Sequence, residues 1–255
     1  MNHKIVARVS IFLFIFLMSQ LFVCSCKKTE QPQPPPKNEN SNPSVQNNEA
    51  IKPASGMVEL QISLPKPLFE GTPQNISVPN LEKARAAGQK RDKFFVPEGT
   101  TNVALKKPII GFNEEPIIGE LEMITDGDKE ATDGSYIELG PGLKSITIDL
   151  QNEYNIYAIC VWHYHKQPRV YFDVIVQTAQ DQDFITGVNT LFNNDIDNSA
   201  GLGIGTNMNY TETNEGRLID GKGVKARYVR LYSSGNTGNE LNNYIEVDVY
   251  GKPAK

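Results

Sequence analysis

The stretch 145–165 constrains the fold more than any other. Ile146, Ile148 and Leu150 alternate with Ser145, Thr147 and Asp149, the two-residue period of a strand with one face in a core and one in water. Gln151 and Asn152 read as a turn. The run from Ile156 to Trp162 is then apolar on both faces, which suits an interior strand of a layered structure. Two strands of one core are predicted here, ending in a polar and basic tip of His163, Tyr164, His165, Lys166 and Arg169.

The same alternation recurs downstream. Val170, Phe172, Val174 and Val176 share one face, as do Val229 and Leu231, and then Ile245, Val247 and Val249. Turn-rich loops separate these runs and hardly one convincing amphipathic helix interrupts them. An all-β jelly-roll sandwich over 101–254 is the economical reading, large enough to bury a core without disulfides.

What precedes the sandwich is different in kind. Residues 1–25 have a basic start in His3, Lys4 and Arg8 and an apolar core from Ile11 to Val23, too short for a comfortable membrane span. The end of that core, Val23-Cys24-Ser25-Cys26-Lys27, resembles the lipobox of bacterial lipoprotein signal peptides. The resemblance makes Cys26 the acylated first residue of the mature chain, although Val23 occupies a position where a small residue is usual. Acylation by more than one chain anchors a protein to a membrane. Lys27 and Lys28 stand where the enterobacterial system places an inner-membrane retention aspartate, so the expected location is an exported, membrane-anchored one, at the outer membrane if the cell has two. An ordinary cleaved signal with an incidental cysteine pair is the competing reading. Of three cysteines in the chain, this leaves only Cys160 in the exported domain, so no internal disulfide is possible there.

Residues 26–56 are rich in Pro, Asn, Gln, Ser and Glu and hold no aromatic residue, a composition that forms no core. A disordered tether of roughly 30 residues spans on the order of 30 Å. Residues 57–100 mix a short alternating run, 58–64, with prolines at 65, 67, 73 and 79 and a possible short helix at 81–87. Apolar spots at Leu68, Phe69, Phe94, Phe95 and Val96 point to an extended segment wrapped on the sandwich rather than an independent fold.

Five motifs carry a family resemblance, in order: Asn102-Val-Ala-Leu-Lys-Lys-Pro108, Ile124-Thr-Asp-Gly-Asp128, Ile146-Thr-Ile-Asp-Leu150, Ala226-Arg-Tyr-Val-Arg230 and Ile245-Glu-Val-Asp-Val-Tyr-Gly251. Together they resemble the discoidin, or coagulation-factor C-type, domain of the galactose-binding-like superfamily. The resemblance implies an eight-stranded jelly roll whose loops at one end bind sugars, lipid head groups or proteins. Two departures stand out. The family's tryptophan after the Asp-Gly turn is absent, with Tyr136 the nearest aromatic, and the loop 189–216 is long and particular to this chain.

The resemblance also implies candidate sites. Sugar-binding relatives hold a structural calcium with the Asp-Gly turn and the glutamate of the last strand, which maps here to Asp126, Asp128, Thr132 and Glu246; hard oxygen donors suit that ion. A solvated acidic turn without an ion is the equal alternative, and an EF-hand is excluded because Ala131 and Ile137 occupy its glycine and glutamate positions. For sugar, the relatives use a histidine, a basic residue, an asparagine and an aromatic at the loop end. His163 or His165, Arg169, Tyr164 and one of Asn236, Asn239 or Asn242 fill those roles. The two histidines as the start of a zinc site find no third ligand, and polar residues packed at a strand end are the simpler account.

No enzyme signature is legible. Gly201-Leu-Gly-Ile-Gly205 follows no clear strand and opens no helix, and there is no zinc-protease motif, nucleophile elbow or activated thiol. A dispersed carboxylate pair leaves no local motif, so glycosidase chemistry stays as a third reading. The formal charge of -5 argues against a nucleic-acid partner. The expected function is a lipid-anchored, non-enzymatic binding module for extracellular carbohydrate, with a structural or protein-interaction envelope lipoprotein as the alternative. Changing Cys26 to Ser should abolish metabolic palmitate labelling and release the protein from membranes, while Cys24 to Ser should do neither; labelling that survives loss of Cys26 contradicts the assignment.

Overall fold

The computed structural model describes residues 54–69, 75–83, 85, 86, 88–111 and 114–255. The expected signal segment (1–25), Cys26 and the expected tether as far as residue 53 lie outside the described residues. Ten strands follow one another: β1 (Met57–Glu59), β2 (Phe95–Pro97), β3 (Thr101–Asn102), β4 (Ile109–Ile110), β5 (Ile137–Leu139), β6 (Lys144–His163), β7 (Ile175–Ala179), β8 (Asn189–Asn193), β9 (Arg217–Ser233) and β10 (Asn242–Pro253). The single helical turn among the described residues is a 3-10 segment, Leu121–Thr125.

The constraining stretch forms one long strand rather than two. β6 pairs antiparallel with β9 along its length, and the register slips between Asp149 and Tyr154, where Gln151 has a φ of 67°. Arg227 locks the irregularity with two bonds to Asp149, Nε to Oδ1 at 2.7 Å and Nη2 to Oδ2 at 2.8 Å. That fork holds the Asp149 carboxyl below its usual range, helped by the Gln151 amide. The β6–β9 ribbon therefore folds over on itself. Ile146, Ile148 and Leu150 from one half and Ile159 and Val161 from the other meet in a single core with Val229, Leu231, Val247 and Val249. The two-layer arrangement is the expected sandwich, reached by bending strands that serve both layers, in the order β3-β10-β6-β9-β7-β8 with β4 on β6 and β5 on β10.

The second half of β6 shows why its sequence is apolar on both faces. Ala158, Cys160 and Trp162 point away from the main core into a second cluster with Ala131, Ile245 and Tyr250, and Leu60, Ile62 and Phe94 pack over it. Residues 57–62 and 94–97 thus lie on the outer face, pinned by the β1–β2 pair and by the amide of Leu60, which donates to the carbonyl of Phe94 at 2.8 Å. Burying side chains of this size stabilises by about 1.5–3 kcal/mol each. Cys160 lies within that cover, and burial pushes its thiol up to about 12.

Two expected elements differ. Residues 170–174 are not part of a strand: β7 begins at Ile175, because Asp173 has a φ of 49° and the preceding backbone pairs instead with the loop 234–237. No described residue of 81–87 is helical, since Leu81 bridges Asn209 and the Glu82 amide donates to the Asn209 carbonyl.

Candidate functional site

The antiparallel registers gather several loops at one edge. Tyr244 of β10 faces His163 at the end of β6, Arg217 at the start of β9 faces Val161, and Ile175 of β7 faces both Tyr232 and Asn193. The segments 164–174, 194–216 and 234–241 all leave from this edge. Direct bonds join two of them: the Thr237 amide donates to the Val170 carbonyl at 3.0 Å, and the Val170 amide to Thr237 Oγ1 at 3.1 Å. Arg169 and the asparagine loop, distant in sequence, are neighbours.

The histidines are not at the surface, which corrects their assignment as sugar ligands. His163 is wholly buried; its Nδ1 donates to Glu212 Oε1 at 2.8 Å, and its ring stacks on Tyr171 at 4.4 Å. His165 is 1% exposed and its Nε2 donates to the carbonyl of Lys129. Both act as packing groups that a strand end needs when polar residues continue into the interior. Nor do they share a ligand in a zinc-like arrangement, since Glu212 and Lys129 are separate partners.

Asn236 and Asn242 are scaffold as well. Asn242 donates to the carbonyls of Gly140 and Gly142 and accepts from the Gly235 amide, while Asn236 bridges Gly238, Asn239 and Leu241. Their amides satisfy turn backbone that would otherwise be buried without partners. Asn239 remains exposed.

Arg169 lies in a loop and stacks over Tyr164. The guanidinium carbon lies 4.9 Å from the Tyr164 ring centre, and Tyr164 meets Tyr136 edge-on at 4.9 Å. Arg169 makes only long bonds, 3.4 Å each, to Asn243 Oδ1 and Gln167 Oε1, and its Nε is buried without a partner. It has no carboxylate among the described residues; Asp173, the nearest sequence candidate, accepts from Ser199 instead. Arg169 lines a cleft of about 400 Å³ with Asn75, Ser77, Gln167 and Thr237, adjoining a second of about 590 Å³ along Phe172 and 236–240. Asn75 and Ser77 were not legible beforehand, because nothing in the sequence shows that the wrapping segment reaches this edge.

The four candidate calcium ligands do not converge into a cage. Asp126 Oδ1 accepts from the Asp128 amide, Asp128 Oδ1 from the Glu130 amide, and Thr132 bonds Ser135, so these oxygens close local turns. Glu246 alone keeps a ligand-like feature. It is fully buried, Oε2 accepts from the Gly127 amide at 3.1 Å, and Oε1 has no partner. Among the described residues the acidic oxygens that do lie within 4.8 Å of one another belong to Asp173, Asp195 and Asp197, a group able to hold a metal ion. The run 193–198, read from sequence as a polar loop, contains two of them.

No protein-family model matches the chain, and no curated protein matches its sequence. Solved structures similar to it include a family 89 glycoside hydrolase from Clostridium perfringens, at 18% identity and a TM-score of 0.43, covering 60% of this chain and 15% of the hydrolase. A fucose binding module from Streptococcus pneumoniae aligns at 16% identity and a TM-score of 0.39, over 59% of this chain and 97% of the module. A chitosan-binding module from Paenibacillus sp. IK-5 aligns at 18% and 0.39, over 59% and 99%.

Glu246 supplies the test of an ion at this edge. Burial, first, and then the neighbouring Asp248 and Asp126 push its carboxyl up to about 9 against the opposing pull of the Gly127 amide and Lys129. A carboxyl raised in the folded state holds a proton that the unfolded chain releases, so stability falls as pH rises from about 4.5 to about 9. In chelator, the melting temperature should drop across that window and Glu246→Gln should flatten the drop. A melt raised by calcium in the natural chain but not in the Gln variant would place the ion on Glu246 instead.

Proposed function

We propose that the chain is a lipid-anchored envelope module that recognises extracellular carbohydrate without covalent chemistry, through the cleft lined by Arg169 and Thr237. The observation that carries this reading is Arg169 itself: a half-buried guanidinium, held over an aromatic ring, with no carboxylate to neutralise it among the described residues. Such a group offers several donors in fixed geometry beside an apolar face, which is what hydroxyl-rich rings need from a shallow site. Thr237, Asn75, Ser77 and Gln167 supply further hydroxyl and amide partners around it. The support for anchoring is the signal-like start and Cys26; many copies tethered to one surface and facing one polymer bind it by avidity.

A protein-contact role is favoured by a different observation. Ile196, Leu202, Ile204 and Met208 are exposed on one long loop, Ile204 at 71%. A glycan array followed by titration separates the readings. Arg169→Ala should weaken the glycan found on the array roughly ten- to hundredfold, the usual cost of charge-assisted hydrogen bonds, with a melting curve close to that of the natural chain. Equal affinity removes Arg169 from the site, and no glycan binding together with specific capture of an envelope protein reverses the order of the two readings.

A further inference from the structure

A third cleft lies between the wrapping segment and the loop 209–217. Its volume is about 440 Å³. The loop is held rigidly from both sides. Trp162 Nε1 donates to the Asn214 carbonyl at 3.0 Å, and a Cβ on Gly216, whose φ is 64°, would stand 2.7 Å from the Trp162 ring. From the other side, Asn214 Nδ2 donates to the Pro65 carbonyl and Asn209 Nδ2 to the Pro79 carbonyl. Two ion pairs span the gap, Arg85 to Glu215 and Arg217 to Glu82, each at 2.6 Å. The cleft is preformed by contacts that do not involve a ligand.

Four residues lining it carry buried side-chain atoms that make no hydrogen bond: Arg217 Nε, Thr211 Oγ1, Tyr210 Oη and Glu215 Oε2, the last lying 2.6 Å from Arg85 Nη1 as an ion pair. Native interiors rarely leave several such groups together unless something else satisfies them. Arg217 is also sandwiched between rings, 4.7 Å from Tyr210 and 5.0 Å from Phe192, so it is fixed in place. The lining holds four basic residues, Lys83, Arg85, Lys90 and Arg217, against the two acids Glu82 and Glu215. Both acids are already paired, and Lys83 and Lys90 form no ion pair among the described residues. Leu64, Pro67 and Phe69 give the cleft an apolar wall.

We infer that this cleft is a second binding site, for a carboxylated saccharide unit such as a uronate. The ring face would lie on the apolar wall, its hydroxyls would meet the side chains of Thr211 and Thr213, and its carboxylate would face the excess lysines. This site shares no residue with the Arg169 cleft and stands or falls independently of it.

Trp162 is the only tryptophan in the chain and touches the loop directly, so its fluorescence reports on the cleft. The full chain in detergent at low salt, titrated with trigalacturonate, should show a saturable change that neutral galactotriose does not produce. Lys83→Glu combined with Lys90→Glu, both at exposed positions, should weaken the response at least tenfold at an unchanged melting temperature, while Arg169→Ala leaves it intact. An absent response, an equal response to the neutral trisaccharide, equal affinity in the double-lysine variant, or loss on Arg169→Ala each overturns the proposal.

Discussion

The second half of β6 has to be covered twice. Ile159 and Val161 face the sandwich core while Ala158, Cys160 and Trp162 face outward, and an uncovered apolar sheet face of that size would be a liability in water. The wrapping segment answers this constraint with Leu60, Ile62 and Phe94. Residues 75–77 of the same segment line the Arg169 cleft, and 82, 83, 85, 86 and 88–90 line the cleft beside Arg217. Packing against Trp162 and the shaping of binding surfaces are thus one event: the segment that hides the tryptophan also brings Asn75 and Ser77 to Arg169, and Glu82 and Arg85 to Arg217 and Glu215.

The fold was legible where periodicity speaks directly. Alternation in 145–150, 228–232 and 244–250 gave the strands, and the doubly apolar run at 156–162 gave an interior position. The bend at Gln151 was visible as a turn, but not that the hydrogen-bonded ribbon continues through it, because a side-chain pattern carries no information about a positive φ or about the Asp149–Arg227 fork that fixes it. The run 170–176 misled in its first part for the converse reason: its alternation is real in burial, with Val170, Val174 and Val176 inside, yet the backbone of 170–172 pairs with a loop and the strand begins only at Ile175.

The site was legible in part. Arg169 after Pro168 reads as a loop residue and is one; Tyr164 lies under it. Histidine chemistry pointed to the surface, whereas His163 is held inside by Glu212, a residue 49 positions away that no local motif links to it. Asparagines at 236 and 242 resemble ligand-binding amides in sequence, but turns consume amides for their own backbone, and only the arrangement in space distinguishes the two uses. The acidic turn at 126–128 shows the same competition, since its carboxylates close on neighbouring amides.

The central claim is that recognition belongs to the edge where Arg169 and the loop 234–241 meet. Amide chemical-shift mapping of the isotopically labelled full chain against a bound glycan tests it most directly. The account predicts that the largest shifts fall on 164–169 and 236–239 and leave the far bend at 151–154 unmoved. Shifts confined to the exposed apolar loop around Ile204, with none at Arg169 or Thr237, would contradict it.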